Sequence, residues 1–294
     1  MRFILVSLWA LWSLAAYAKE TPIQPEFGPL VGSWQVEVEG EKRLRQLEVS
    51  GFRGQADGPG VLGAWYGWAD GHLESVAAKA VLTDGKLRIE ITTPAASVIV
   101  AEQLTADSLQ GSFTSKSGNK KPIRLARIAY DLSDLTRAFA DEEKDFGVAP
   151  TSTLTTRYHD KTPVSVPGAT TIRTLALKAL LDGQSPPIAI DVLGTMAGQR
   201  TTIPNAIWLG LNAGDGRVFA AENERFAAVL AKLTNDDKAR AVVFFCLNSE
   251  CWLSYNASLR AVAAGYKNVY WYRGGWTSWK AARLPLVKTE AFAW

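Results

Sequence analysis

The hydrophobic pattern changes period partway along the chain, and this change limits the fold more than any other feature. Between residues 27 and 130, short runs alternate apolar and polar side chains: Ser33-Trp34-Gln35-Val36-Glu37-Val38-Glu39, Arg45-Gln46-Leu47-Glu48-Val49, Lys86-Leu87-Arg88-Ile89-Glu90-Ile91 and Leu109-Gln110-Gly111-Ser112-Phe113. Turn residues separate them at Asp57-Gly58-Pro59-Gly60, Asp84-Gly85 and Ser117-Gly118-Asn119. Alternation of period two turns one face of each strand to a core and the other to water, so this half predicts an antiparallel β barrel or sandwich. From Thr171 onward the strands become continuous apolar runs, Pro187 to Val192 and Ala241 to Phe245, spaced by helical patterns such as Phe226, Val229, Leu230 and Leu233. Strands buried on both faces and separated by helices predict a parallel α/β sheet over residues 166–294. Two periods need two cores, and 294 residues suffice for both. The stretch 133–165 reads as the connection: a short helix in SDLTRAFADEEKDFG, then a Thr- and Pro-rich linker.

The amino end has a separate character. Arg2, the apolar run FILVSLWALWSL and Ala16-Tyr17-Ala18 together read as a signal peptide cleaved after Ala18, which predicts a periplasmic or secreted protein with no membrane span after cleavage. The formal net charge is +3, with no run of five Lys or Arg, so a nucleic-acid partner is not expected.

Export bears on the two cysteines, Cys246 and Cys251, both within VVFFCLNSECWLSYN. In an oxidising compartment two cysteines this close are often a disulfide. A metal site is not expected, because the chain has only two histidines, His72 and His159, neither at ligand spacing from a cysteine. His159 reads as a surface residue, and no cofactor is expected. Cys246 directly follows a buried strand, and a helix begins within about eight residues. This is the carboxyl edge of a parallel sheet, where a helix amino end favours a thiolate. A sulfur nucleophile, a redox pair and a passive disulfide all remain open at this point.

In the first half, Leu30-Val31-Gly32-Ser33-Trp34 resembles the G-x-W opening of lipocalin-like (calycin) barrels, which implies a tryptophan closing one barrel end and, with it, a possible apolar ligand. Trp65 and Trp68 could line a pocket or cap an end.

The second half resembles a rhodanese domain. Ile190-Asp191-Val192 is similar to its strand ending in D-V/T-R, Thr202-Ile203-Pro204-Asn205-Ala206 to H-I-P-G-A, and Val243-Phe244-Phe245-Cys246 to the strand delivering the active cysteine. Gly265-Tyr266-Lys267-Asn268-Val269, Arg273-Gly274-Gly275-Trp276 and Leu284-Pro285 resemble the family's closing motifs. The loop with Cys251 and Trp252 resembles that of exported rhodanese-like proteins associated with pyrroloquinoline-quinone-dependent alcohol oxidation. The resemblance implies that Cys246 accepts sulfur as a persulfide and that N–H groups of Leu247, Asn248, Ser249, Glu250, Cys251 and Trp252 cradle an anion; Cys251 is the candidate resolver beside it. The pocket candidates are Asp191, Arg200 and Arg273. Partners would be a small sulfur donor with a thiol acceptor, or a redox partner protein. Glu250 is the loop's only charge, which opposes efficient use of the thiosulfate dianion. The competing expectation is a catalytically inactive periplasmic binding or assembly module with a structural Cys246–Cys251 disulfide.

Overall fold

The computed structural model describes residues 25–50, 61–71, 73–153, 156–194, 200–217 and 220–294. The expected leader, the turn at Asp57 to Gly60 and His72 lie outside them.

The first domain is a closed barrel of eight antiparallel strands, each paired with the next and the last with the first: β1 (Gly32–Val38), β2 (Arg45–Ser50), β3 (Val61–Trp68), β4 (Glu74–Thr83), β5 (Lys86–Thr92), β6 (Val98–Thr105), β7 (Ser108–Thr114) and β8 (Lys120–Arg127). The alternation has its expected consequence: Trp34, Val36, Leu47, Ile89, Leu109 and Leu125 fill one interior cluster, while intervening residues face outward. Closure removes the exposed edges that a sandwich would have kept. A short 3-10 turn, Pro25–Leu30, covers one end. There Trp34 donates its indole N–H to the Leu30 carbonyl at 3.0 Å, and the Arg127 guanidinium lies 4.2 Å from the Trp34 ring centre. Trp68 stands at the other end between Arg43 and Arg45, 4.4 and 4.7 Å from its ring. Trp65, between the inward residues Ala64 and Tyr66, is on the outer face.

Residues 133–147 correct one expectation: they form turns, not a helix. The Asp131 carboxylate accepts the Ser133 N–H at 3.0 Å, Asp134 accepts that of Thr136 at 2.9 Å, and Asp145 that of Gly147 at 2.8 Å. These local acceptors compete with helical carbonyls, and Ala140 is at φ 49°.

The second domain contains β9 (Thr170–Thr171), α1 (Thr174–Leu181), β10 (Ile188–Asp191), β11 (Arg200–Thr202), β12 (Ile207–Trp208), α2 (Leu211–Gly214), α3 (Ala220–Thr234), β13 (Val242–Phe245), α4 (Trp252–Ala263), β14 (Val269–Tyr272), α5 (Gly275–Ala281) and β15 (Val287–Thr289). Its five-stranded sheet is parallel, in the order β12-β10-β13-β14-β9, and β13 is central. Val242 and Phe244 pack with Leu230 and Ala257 on one face; Val243 and Phe245 pack with Leu177 and Trp279 on the other. Burial on both faces explains why β13 shows no alternation. β11 and β15 form a separate antiparallel pair.

The domains are in contact. Leu73 exchanges backbone hydrogen bonds with Leu286 and Lys288 at 3.1 and 2.9 Å. Elsewhere Glu48, on the outer face of β2, is buried with Ser33 as its hydrogen-bond donor and Lys178 of α1 attracting it. Burial raises the Glu48 carboxyl to about 7, against the pull of Lys178 and Ser33.

Candidate active site at the end of the central strand

The central strand β13 ends at Phe245, so Cys246 is the first residue beyond the carboxyl edge of the sheet. The next helix, α4, starts at Trp252 with Cys251 as its N-cap residue. Cys246 and Cys251 are joined by a disulfide, with Cα atoms 6.2 Å apart. Both residues are buried, 1% and 0% exposed.

Two elements grip the loop between them. From one side α5 arrives with its amino end: Trp276 donates its N–H to the Cys246 carbonyl at 3.0 Å and Thr277 to that of Leu247 at 2.9 Å. This approach requires glycine at position 275, where φ is +57° and a Cβ would lie 2.4 Å from the Cys246 oxygen. From the other side comes the interdomain segment. Thr162 Oγ1 donates to the Ser249 carbonyl at 2.6 Å, Trp252 donates its backbone N–H to Tyr158 O at 2.8 Å, and its indole donates to Lys161 O at 3.1 Å. His159 forms an antiparallel β-bridge with Cys251.

The expected anion cradle is therefore partly occupied by the protein. Glu250 N–H is bound by the Asn248 side-chain oxygen at 3.1 Å, Cys251 N–H by the Asn248 carbonyl at 3.1 Å, and Trp252 N–H by Tyr158. The Glu250 side chain is exposed. Among the described residues, no group of His, Cys, Asp and Glu could hold a metal ion.

The three pocket candidates separate. Asp191 ends β10 and sits in register with Phe245, the residue before Cys246. Its carboxylate accepts the Thr202 hydroxyl at 2.5 Å and the Leu193 N–H at 2.9 Å, and is ion-paired with Arg200. Burial raises it to about 6, with Arg200 and Thr202 working against the shift. Arg200 stacks 4.9 Å from the Trp208 ring, and its neighbour Thr201 accepts the Trp276 indole N–H at 3.2 Å. This pair thus lies one strand away from Cys246. Arg273 points elsewhere: its guanidinium donates to Glu142 O at 2.9 Å, Lys144 O at 2.9 Å, and Thr162 Oγ1 and O at 3.0 and 3.1 Å. It anchors the interdomain segment, which in turn holds the loop.

Sequence reasoning missed Tyr158, Thr162 and the backbone role of Gly275. Tyr158 and Thr162 fall in a stretch without periodicity, where no residue pattern marks a contact that forms only through the fold.

Residues 174–282 match the family model described as the Rhodanese-like domain. No curated protein is similar enough to match. Two solved structures are similar to part of the chain. One is a redesigned beta barrel at 17% identity, covering 37% of this chain and 100% of its own, with a TM-score of 0.27. The other is a redesigned beta barrel bound to DFHBI at 22% identity, covering 36% of this chain and 100% of its own, with a TM-score of 0.26.

Proposed function

From a rhodanese-like domain whose two cysteines are joined, we propose thiol–disulfide exchange, with Cys246 as the sulfur that takes up the partner and Cys251 as the sulfur released. The observation that carries this reading is the disulfide itself, set between the end of β13 and the first turn of α4. An incoming thiolate R–S⁻ attacks Cys246 Sγ, the Cys246–Cys251 bond breaks, and the electron pair leaves on Cys251 as a thiolate at the helix amino end. A second thiolate then displaces Cys246 from the mixed disulfide. The products are RSSR and a protein dithiol, so the partner is oxidised by two electrons and the protein reduced by two. Oxidation by another disulfide returns the starting state.

Sulfur transfer through a Cys246 persulfide is the second reading, favoured by the position of Cys246 directly after the central strand. Against it stand the Glu250, Cys251 and Trp252 N–H groups already bound by protein acceptors and a loop without Lys or Arg. The burial of both sulfur-bearing residues supports the passive disulfide of a binding or assembly module. A paired thiol couple suits an oxidising compartment, which agrees with export by the amino-terminal segment. The barrel would then serve recognition, and the partner would be a small thiol or a redox protein.

The test is a titration of the full chain with reduced and oxidised dithiothreitol at neutral pH without denaturant, quenched by alkylation and read by intact mass. Exchange predicts that the disulfide opens and recloses in the folded chain, and that Cys251→Ser given oxidised glutathione, a disulfide of a monothiol, keeps a mixed disulfide on Cys246. A bond that opens only on unfolding sinks exchange and leaves the passive disulfide. A one-sulfur mass gain on Cys246 when the reduced chain, freed of dithiothreitol, is given thiosulfate, with sulfite released and the added sulfur removed by reductant, selects sulfur transfer.

A further inference from the structure

Resting on the exchange reading, the side-chain contacts between the interdomain segment and the cysteine loop carry a further role. We propose that residues 158–162 form a strap that decides which sulfur a partner reaches: Tyr158 and Thr162 are positioning residues that close off Cys251 and leave Cys246 as the point of attack.

A disulfide offers two sulfurs to an incoming thiolate. Which one is taken depends on how well the other leaves and on access. The first factor favours attack on Cys246, because Cys251 then departs as a thiolate at the amino end of α4. The strap supplies the second, for it is bound on both sides of Cys251. Before it in the chain, the Ser249 carbonyl accepts the Thr162 hydroxyl at 2.6 Å. After it, Trp252 donates its backbone N–H to Tyr158 O at 2.8 Å and its indole N–H to Lys161 O at 3.1 Å. Ser249, Cys251 and Trp252 are consequently 3%, 0% and 4% exposed.

Side chains fasten the strap at each end. Tyr158 packs against the cluster that includes Cys251, and its hydroxyl donates to Asp215 at 2.5 Å and accepts the Gly216 N–H at 3.3 Å. Thr162 is buried, and Arg273 Nε donates to its hydroxyl at 3.0 Å. The Cys246 side is built differently. There α5 meets the loop through the backbone N–H groups of Trp276 and Thr277, and Leu247, Asn248, Trp276 and Thr277 are half-buried. The cover over Cys246 thus ends in a partly exposed rim, and a local opening of that rim admits a thiol. Reaching Cys251 requires the hydrogen bonds of the strap to break.

The experiment follows the full chain with one cysteine left, Cys251 in Cys246→Ser and Cys246 in Cys251→Ser, reacting with the neutral disulfide dithiodipyridine. Each protein thiolate displaces one pyridinethiolate and forms a mixed disulfide, so the rate is read from the absorbance of the released thione. Adding Thr162→Val should speed the reaction of Cys251 by about tenfold, the factor for one lost buried hydrogen bond, and leave that of Cys246 within about twofold. Thr162→Ser keeps the hydroxyl and should keep Cys251 slow. Tyr158→Phe, which loses the Asp215 contact alone, should speed Cys251 selectively as well. Equal acceleration of both sulfurs, or of neither, overturns the inference while leaving exchange intact. A wild-type disulfide that dithiothreitol cannot open in the folded chain overturns the exchange reading and this inference with it.

Discussion

Trp252 donates its backbone N–H to the carbonyl of Tyr158 at 2.8 Å. The first turn of α4 is thereby capped by the segment that joins the domains. In an open site that N–H would help bind an anion. The same segment covers Cys251, so the chemistry of the cysteine pair and the path of the interdomain chain are coupled.

Replacing either cysteine should have a modest structural cost. The ring closed by Cys246 and Cys251 is short, with a sequence separation of 5, and loop-closure entropy assigns it about 2 kcal/mol. Urea unfolding of Cys246→Ser and Cys251→Ser should show losses near that size, while exchange is abolished in both. A loss several times larger would show that the disulfide mainly serves to hold the fold.

Glu48→Gln should stabilise the protein at neutral pH. Burial raises this carboxyl from 4.5 to about 7 in the folded chain. Below 4.5 both folded and unfolded states hold the proton and no penalty exists. As pH rises toward 7 the unfolded chain releases its proton first, stability falls, and above 7 the penalty is complete. Gln keeps an acceptor for Ser33 without the charge. The stability of the variant relative to wild type should therefore grow with pH, to on the order of 2–3 kcal/mol. Denaturant unfolding of both proteins from pH 4 to 8 checks this, and a constant difference would contradict it.

Arg273→Met should loosen the interdomain segment. The guanidinium makes bonds to Glu142, Lys144 and Thr162, and its loss removes the donor from the buried carbonyls of Glu142 and Thr162. The cost should be about 3 kcal/mol or more. Limited proteolysis should cut between residues 139 and 162 in the variant well before wild type.

Gly275→Ala should disturb the cysteine loop without touching a cysteine. The positive φ is strained for alanine, and the new methyl would meet the Cys246 carbonyl oxygen at 2.4 Å. A loss of roughly 1–3 kcal/mol is expected, with an altered rate of disulfide opening. Wild-type stability and rate would mean that α5 does not set the loop.

Much of the fold was legible because periodicity is local. The alternation at Ser33 to Glu39 and Lys86 to Ile91 located β1 and β5, and the unbroken run Val242–Phe245 marked the centre of a parallel sheet. The helix expected at 133–147 failed because Asp131, Asp134 and Asp145 bind nearby N–H groups, a competition that apolar spacing does not register. β11 and β15 carried no pattern of their own, since each is three residues long and a run that short shows no period.

The sequence by itself determined two cores, the position of Cys246 after a buried strand and the nearness of Cys251, because each follows from residues adjacent in the chain. Only the tertiary structure decided what surrounds them. It turned Arg273 toward the interdomain segment, paired Asp191 with Arg200 and brought Tyr158, His159 and Thr162 against the loop. These contacts join residues about ninety positions or more apart, apart from the Asp191–Arg200 pair. Their partners are backbone groups, which every residue carries alike, so side-chain identity could not announce them.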